Sequence, residues 1–564
     1  MVDAMDGDLE MSEGNFLTRM RRGAIRSGRW TIGHLTRIPR WLLALSALLS
    51  VAALTLLAFL GGFIVASRDY AQIEILNKID RKFEQLVLSR LSREATLDTS
   101  LIRLVMEKGT VAEGALDLEL QWGGGLASFG ADVLVLPYRG RVYAARSPQT
   151  IRPSRIVAPD NGRAAYQRDY RALDDDPEFG SSPARGLDYL RYNDILVFAG
   201  GSRGLAVSYV EYHPDQHCVT NTVAVREIDA AIENVDDVVI GPDDWRILFR
   251  SRPCLPFKSK GVAMEGHMAA GRLAFSAPST LYLTSGDFGF DGNRSDGGTV
   301  AQDPDQEYGK VIALDVVSGT SRVMAAGLRN MQGVALTAGG ALYTVEHGPL
   351  GGDELNLIVD GANYGWPLES YGIAYSKEPL PGSLSFGRHD THTAPVFAWS
   401  PSVAASGLIA VKGFHPAWDG DLIVATLKDE SIHRLRLDGG RVTYDERITI
   451  GSRIRAIHQH TDGRIVLWTD NHELMFIEAK DLPSERERLE EYLSASGTIG
   501  ADQIRLRAAI EGCAECHSFS TTDDRGAPSL GRVYREVIAS RSFAGYSQAL
   551  KSKGGRWTEE NPPP

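Results

Sequence analysis

The chain has 564 residues, 43% hydrophobic and 8% aromatic, enough apolar mass for more than one packed domain and too much for a disordered chain. Its formal net charge of -12 excludes the basic surface that a nucleic-acid-binding domain presents, so the expected ligand is a small molecule and no nucleic acid.

Residues 1–40 read as a cytoplasmic tail and 41–67 as a transmembrane anchor. The stretch WLLALSALLSVAALTLLAFLGGFIVAS holds 27 residues without a charge, enough to cross a hydrocarbon layer about 30 Å thick with some tilt. Arg19, Arg21, Arg22, Arg26, Arg29, Arg37 and Arg40 precede it, and no acid stands between Glu13 and its end, which keeps the N-terminus in the cytoplasm. A cleaved signal peptide is the alternative, although its apolar region would be shorter, about 7 to 15 residues. The expectation is a single-pass protein of a bacterial inner membrane with all that follows in the periplasm. Residues 68–108 are predicted to form a helical stalk, because Leu76, Ile79, Phe83 and Leu86 recur at spacings of three and four.

From 109 to 482 the texture changes to short alternating strands separated by Gly, Asp and Pro turns, so this region is predicted to be all-β. One unit, strand–turn–strand ending in Thr or Ser, recurs in AAGRLAFSAPSTLYLTSGD, MQGVALTAGGALYTVEHG and RAIHQHTDGRIVLWTDN. With weaker copies, six starts fall near 131, 203, 269, 331, 400 and 455, predicting a six-bladed β-propeller; a β-sandwich with coincidental repeats is the alternative.

The loops GLRNMQG (327–333), EHGPLGGDELNLIVDGANYGWP (346–367), TLKDESIHRLRLD (426–438) and GSRIRAI (451–457) resemble, in order and spacing, the glucose and sorbosone dehydrogenase family. That family consists of six-bladed propellers that use pyrroloquinoline quinone (PQQ). The quinone carries three carboxylates, which call for convergent fixed cations. The resemblance implies that Lys428, Arg453 and Arg455 bind those carboxylates and that Arg329, Asn330 and Gln332 line the quinone carbonyls. It implies that Gly348 and Pro349 offer backbone oxygens to a calcium ion (Ca2+), which would act as a Lewis acid, with Asp353 and Glu354 supporting that loop. His267 is the implied base for the substrate hydroxyl, so His267 and Arg329 form the candidate catalytic pair. In EGHMAAGRLAF, His267 stands one residue further from Arg272 than the family spacing; either a bulge absorbs the extra residue or His267 is structural.

Residues 483–500 read as a linker and 501–564 as a small all-α domain. Cys513, Cys516 and His517 form a C-x-x-C-H, in which two thiols bond haem vinyl groups and the His ligates iron. No other Cys or His occurs from 501 onward to complete a zinc site. The tail resembles a shortened class I cytochrome c, with Gly526, Pro528 and Leu530 in the loop after the haem-attachment helix. No Met follows Met475, which leaves the second axial position empty, or to water, another group or another protein. Cys218 and Cys254 are left either to form a disulfide in an oxidising compartment or to remain unpaired.

The expected whole is a membrane-anchored quinoprotein dehydrogenase that oxidises an aldose-type sugar or related alcohol and passes electrons through a tethered haem c to a respiratory acceptor. Its rivals are a propeller that binds partners without a cofactor, and an electron-transfer protein with a structural propeller.

Overall fold

The computed structural model describes residues 94–110, 124–137, 139–172, 190–259, 262–263, 267–292, 298–380, 382–471 and 473–484 and, beyond these, 487–488, 490–491, 494, 501–514, 517, 527–530, 536–540 and 545–558. The predicted span 41–67 and the apolar stripe of 76–86 lie outside them. Among the described residues, no helix is long and apolar enough to cross a membrane.

Six antiparallel sheets follow one another along the chain, each read from its inner strand outward. Blade 1 comprises 125–129, 132–136, 141–145 and 152–157; blade 2, 192–199, 203–213, 218–227 and 246–250; blade 3, 270–276, 280–285, 310–315 and 321–325. Blade 4 comprises 331–336, 342–346, 353–358 and 397–399; blade 5, 405–410, 422–426, 431–438 and 441–449; blade 6, 454–459, 465–469 and 473–481, extended by 102–110 and 94–98. Each inner strand lies against the next, and that of blade 6 lies against that of blade 1, so the ring is closed. Two of the predicted starts, 131 and 203, fall at the second strand of their blades rather than the first.

The helical reading of 68–108 fails over 94–98 and 102–108, which are strand. Ile102, Leu104 and Met106 are buried at a spacing of two, the period of a strand, and the pairing runs from Ile102 opposite Asp481 to Thr110 opposite Glu473. The partner lies some hundreds of residues along the chain, so nothing local marks the segment as the piece that closes the ring.

An apolar cluster fills each junction between neighbouring blades. Phe129 and Leu134 meet Leu205 and Val207 between blades 1 and 2, and Val133 and Tyr143 meet Val466 and Phe476 where blade 1 closes on blade 6. Each such side chain stabilises by about 1.5–3 kcal/mol when fully buried. Inner strands approach so closely that a Cβ on Gly333 would lie 2.6 Å from Leu408 N, and only glycine fits there. In blade 2, Cys218 and Cys254 form a disulfide with Cα atoms 5.6 Å apart, the first of the two alternatives expected for them. Beyond the propeller, 501–514 and 548–553 are helical, and Arg103 of the closing strand pairs with Glu491 of the linker.

Candidate active site

The inner strands of blades 2 to 6 share a β-bulge near their starts, after Tyr192, Ala270, Met331, Ala405 and Ile454. A bulge breaks the alternation of a strand and re-aims the side chain it carries. Gln332 and Arg455 are bulge residues, and so are freed from the blade faces to serve the loops above the axis.

A closed circuit of hydrogen bonds joins the predicted cofactor residues of blades 4, 5 and 6. Gly348 N donates to Asp353 Oδ1 (2.9 Å) and Ala404 N to Asp353 Oδ2 (2.6 Å). Leu427 N donates to Ala404 O (2.9 Å), and Arg453 Nη1 to Leu427 O (3.3 Å), one residue from Lys428. Arg453 Nε (3.2 Å) and Arg455 Nη2 (2.8 Å) both donate to Asp470 Oδ2. Arg272 bridges the carbonyls of Arg455 (3.1 Å) and Gln332 (2.9 Å), and Gln332 Nε2 donates to Asn330 Oδ1 (2.8 Å). His347 N donates to Asn330 O (3.1 Å), and Arg329 Nη1 returns the circuit to the carbonyls of His347 (3.1 Å) and Gly348 (3.2 Å). Lys428, which is exposed, thus stands at the same end of the propeller as Arg329, Asn330, Gln332, Arg453 and Arg455.

Arg329 is nearly fully buried and stacks 5.2 Å from the Trp366 ring centroid, while its Nη2 faces Asp291 Oδ1 (3.5 Å). Its Nε is a buried donor with no acceptor among the described residues. A ligand oxygen would satisfy it, since a buried donor left unmade costs about 1–3 kcal/mol.

His267 is half-buried, and a Cβ on Gly289 would sit 3.7 Å from its Cε1. Burial, then the guanidinium groups of Arg191 and Arg329, push its pKa down to about 4, with Asp291 opposing. Its ring is therefore neutral at physiological pH. The residues between it and Arg272 run through left-handed backbone at Met268 (φ 59) and Ala270 (φ 57) and enter the bulge of blade 3. Met268, next to His267 in the chain, has its Sδ 3.9 Å from Arg329 Nη2, and the Arg329 guanidinium acts electrostatically on His267.

The calcium expectation fares less well. Gly348 O accepts from the guanidinium of Arg329, so the carbonyl expected to hold a cation already faces one. Asp353 does support the turn, as predicted, whereas Glu354 lies against His389 (3.5 Å) and Asn356 Nδ2 (3.5 Å). Among the described residues no cluster of His, Cys, Asp and Glu forms a metal site.

In the tail, Cys513 is a free thiol in the last turn of helix 501–514, and His517 N donates to Cys513 O (2.9 Å). His517 Nδ1 lies 2.6 Å from Pro528 O. A carbonyl only accepts, so Nδ1 carries the proton and Nε2 holds the lone pair. Cys516 lies outside the described residues.

Sequence reasoning missed Asp470, Asp291, Arg191 and Trp366. WTDN, at the end of a recurring unit, carried Asp470 in view, but its role depends on arginines of the neighbouring strand.

The family model described as Glucose / Sorbosone dehydrogenase matches residues 243–477. The aldose sugar dehydrogenase YliI of Escherichia coli (strain K12) is 30% identical over 314 residues, covering 52% of this chain and 72% of that protein. Quinoprotein glucose dehydrogenase B of Acinetobacter calcoaceticus is 26% identical over 284 residues, covering 36% of this chain and 59% of that one. Among solved structures, the soluble aldose sugar dehydrogenase of Escherichia coli in its apo-form has the same fold, with a TM-score of 0.50 at 24% identity over 67% of this chain and 100% of that one.

Proposed function

The chain belongs to the glucose/sorbosone dehydrogenase family, and from that premise we propose that it oxidises an aldose sugar or a related alcohol with PQQ and hands the electrons to a c-type haem in its own tail. The observation that carries this reading is the hydrogen-bond circuit through Gly348, Arg453, Arg455, Gln332 and Arg329, which gathers the predicted residues of three blades at one end of the disc.

The residues fit the quinone. Lys428, Arg453 and Arg455 set three cations against three carboxylates, and the buried Nε of Arg329 supplies a donor for a ring oxygen. When bound, the quinone supplies the two-electron acceptor for the hydride that leaves the sugar carbon. His267, whose ring is neutral, takes the hydroxyl proton, and the sugar leaves as its lactone or carbonyl product. A base held at about 4 is weak. A polyanionic ligand beside Arg329 would offset the guanidinium part of that depression, which is second to burial. Calcium is given no step, because Gly348 O is already engaged.

In this reading Cys513 and Cys516 hold the haem and His517 ligates its iron. The Nδ1–H···O=C bond to Pro528 supports it, since such a bond fixes the tautomer that presents Nε2 to a metal. Anchoring by 41–67 in a bacterial inner membrane completes the proposal, and the 218–254 disulfide suits an oxidising compartment. The test is an aldose screen on protein reconstituted with the quinone, with and without calcium, watching the haem absorption band. Sugar-dependent reduction supports the reading. Quinone binding without turnover on any aldose or alcohol would favour a propeller that only binds.

A further inference from the structure

Arg272 occupies a position that neither the sequence reading nor the proposed chemistry uses. Pairing registers align it with Gly125, Asp194, Gly333, Gly407 and Ala456 of the other five blades. Four of those five are glycine or alanine, so the inner strands approach closely there and no other long side chain stands at the level of Arg272. The fifth, Asp194, lies 3.8 Å from Arg272 Nη1 and takes up room left by Gly125, whose added Cβ would sit 2.1 Å from Asp194 Oδ1.

The guanidinium of Arg272 spends its donors on one carbonyl from every other blade. Nε donates to Gln332 O (2.9 Å), Nη1 to Gly124 O (2.9 Å) and Asn193 O (3.1 Å), and Nη2 to Ser406 O (3.2 Å) and Arg455 O (3.1 Å). A guanidinium has five N–H groups in one plane, and here five blades supply five acceptors. Without that cation the carbonyl dipoles would converge unpaired in a buried hub. Arg272 N is itself held by Thr284 Oγ1 (2.8 Å), which donates on to Met331 O (3.1 Å). Beyond Arg272, away from the loops of Arg329 and Gly348, lies an axial cavity of about 300 Å³ lined by Asp194, Val334, Leu408, Ile457 and His458.

We propose that Arg272 is a positioning residue: it locks the ring of inner-strand carbonyls, thereby fixes Gln332 and Arg455 at the cofactor pocket, and closes the axis between that pocket and the cavity below. Its effect on the cofactor rests on the quinone reading; the locking of the hub does not. Lysine cannot replace it, since three donors leave two of five carbonyls without a partner.

The test uses Arg272→Lys and Arg272→Ala in the ligand-free protein, read by hydrogen exchange. Exchange should rise about tenfold or more over 331–336 and 454–459 and stay unchanged over the outer strands 321–325 and 441–449. Where the wild type binds PQQ, Arg272→Lys should weaken that binding by about tenfold or more. Guanidinium ion at millimolar concentration should restore both properties to Arg272→Ala, and ammonium should restore neither. A uniform rise across all blades, no rise, or equal rescue by the two ions overturns the proposal. If the wild type binds no quinone, the proposed function fails, and hydrogen exchange with ion rescue still decides the role of Arg272.

Discussion

Arg455 and Asp470 face each other in a two-point fork, Nε to Oδ1 at 2.9 Å and Nη2 to Oδ2 at 2.8 Å, and the same carboxylate accepts from Arg453 Nε. A fork of this kind fixes the plane of a guanidinium as well as its position. One acid therefore orients two of the three cations meant for the quinone carboxylates. Asp470→Asn keeps the shape but loses the charge and one acceptor. It should weaken quinone binding by about tenfold, roughly the worth of one weak charge-assisted bond, with little change in melting temperature. Calorimetric titration of the ligand-free variant checks this.

His267 is proposed to accept a proton in the chemical step and to contribute nothing to holding the cofactor. His267→Asn should lower kcat by about 10²–10⁴-fold with quinone affinity unchanged. Stopped-flow reduction of the reconstituted protein by sugar separates the two quantities. Equal loss of affinity and rate would make His267 a pocket wall instead.

The acid limb of stability has a calculable sign. Burial pushes both His267 and His458 down to about 4, so between there and their unfolded value of 6.5 the native state binds fewer protons than the unfolded one. Their contribution is present in full above 6.5 and is lost as pH falls. Asp194, pushed up to about 6 by burial against the pull of Arg272, works in the opposite direction over the same window. His213 and His460, lowered by burial, side with the first pair. At His433 burial is outweighed by hydrogen bonds to Asp429 and Asp445, so it opposes them. His458→Gln should therefore shrink the loss of stability between pH 7 and 4.5 by about 2–3 kcal/mol, measured by urea unfolding at both pH values.

Gly333 faces Leu408 N, Gly407 C and Val345 Cγ2, all at 2.6–2.7 Å from where a Cβ would stand. Two of those three atoms are backbone and cannot step aside. Gly333→Ala should cost about 1–3 kcal/mol, seen as a lower thermal midpoint, because the inner strands of blades 4 and 5 must separate.

What the sequence disclosed followed the reach of its patterns. Recurring strand–turn–strand units reveal six blades, because five blades and the three inner strands of the sixth are contiguous in the chain. Residues 102–108 of the closing strand read locally as stalk because the pairing of 102–110 with 473–481 crosses the whole domain. Arg453 and Arg455 are legible through the resemblance carried by GSRIRAI, yet Asp470, which orients them, gains its role only from the fold. The five-carbonyl clasp of Arg272 is invisible to any local reading, since its partners lie in five other blades.

The account stands or falls on whether the end of the propeller bearing Lys428, Arg453 and Arg455 holds a triply acidic quinone. The most direct measurement is a titration of ligand-free protein with PQQ, repeated on Lys428→Met and Arg455→Met. One-to-one saturable binding is predicted, weakened by about tenfold to a hundredfold in Arg455→Met, less in the exposed Lys428→Met, and weakened further by salt. No saturable binding by the wild type, or equal affinity in all three proteins, would contradict it.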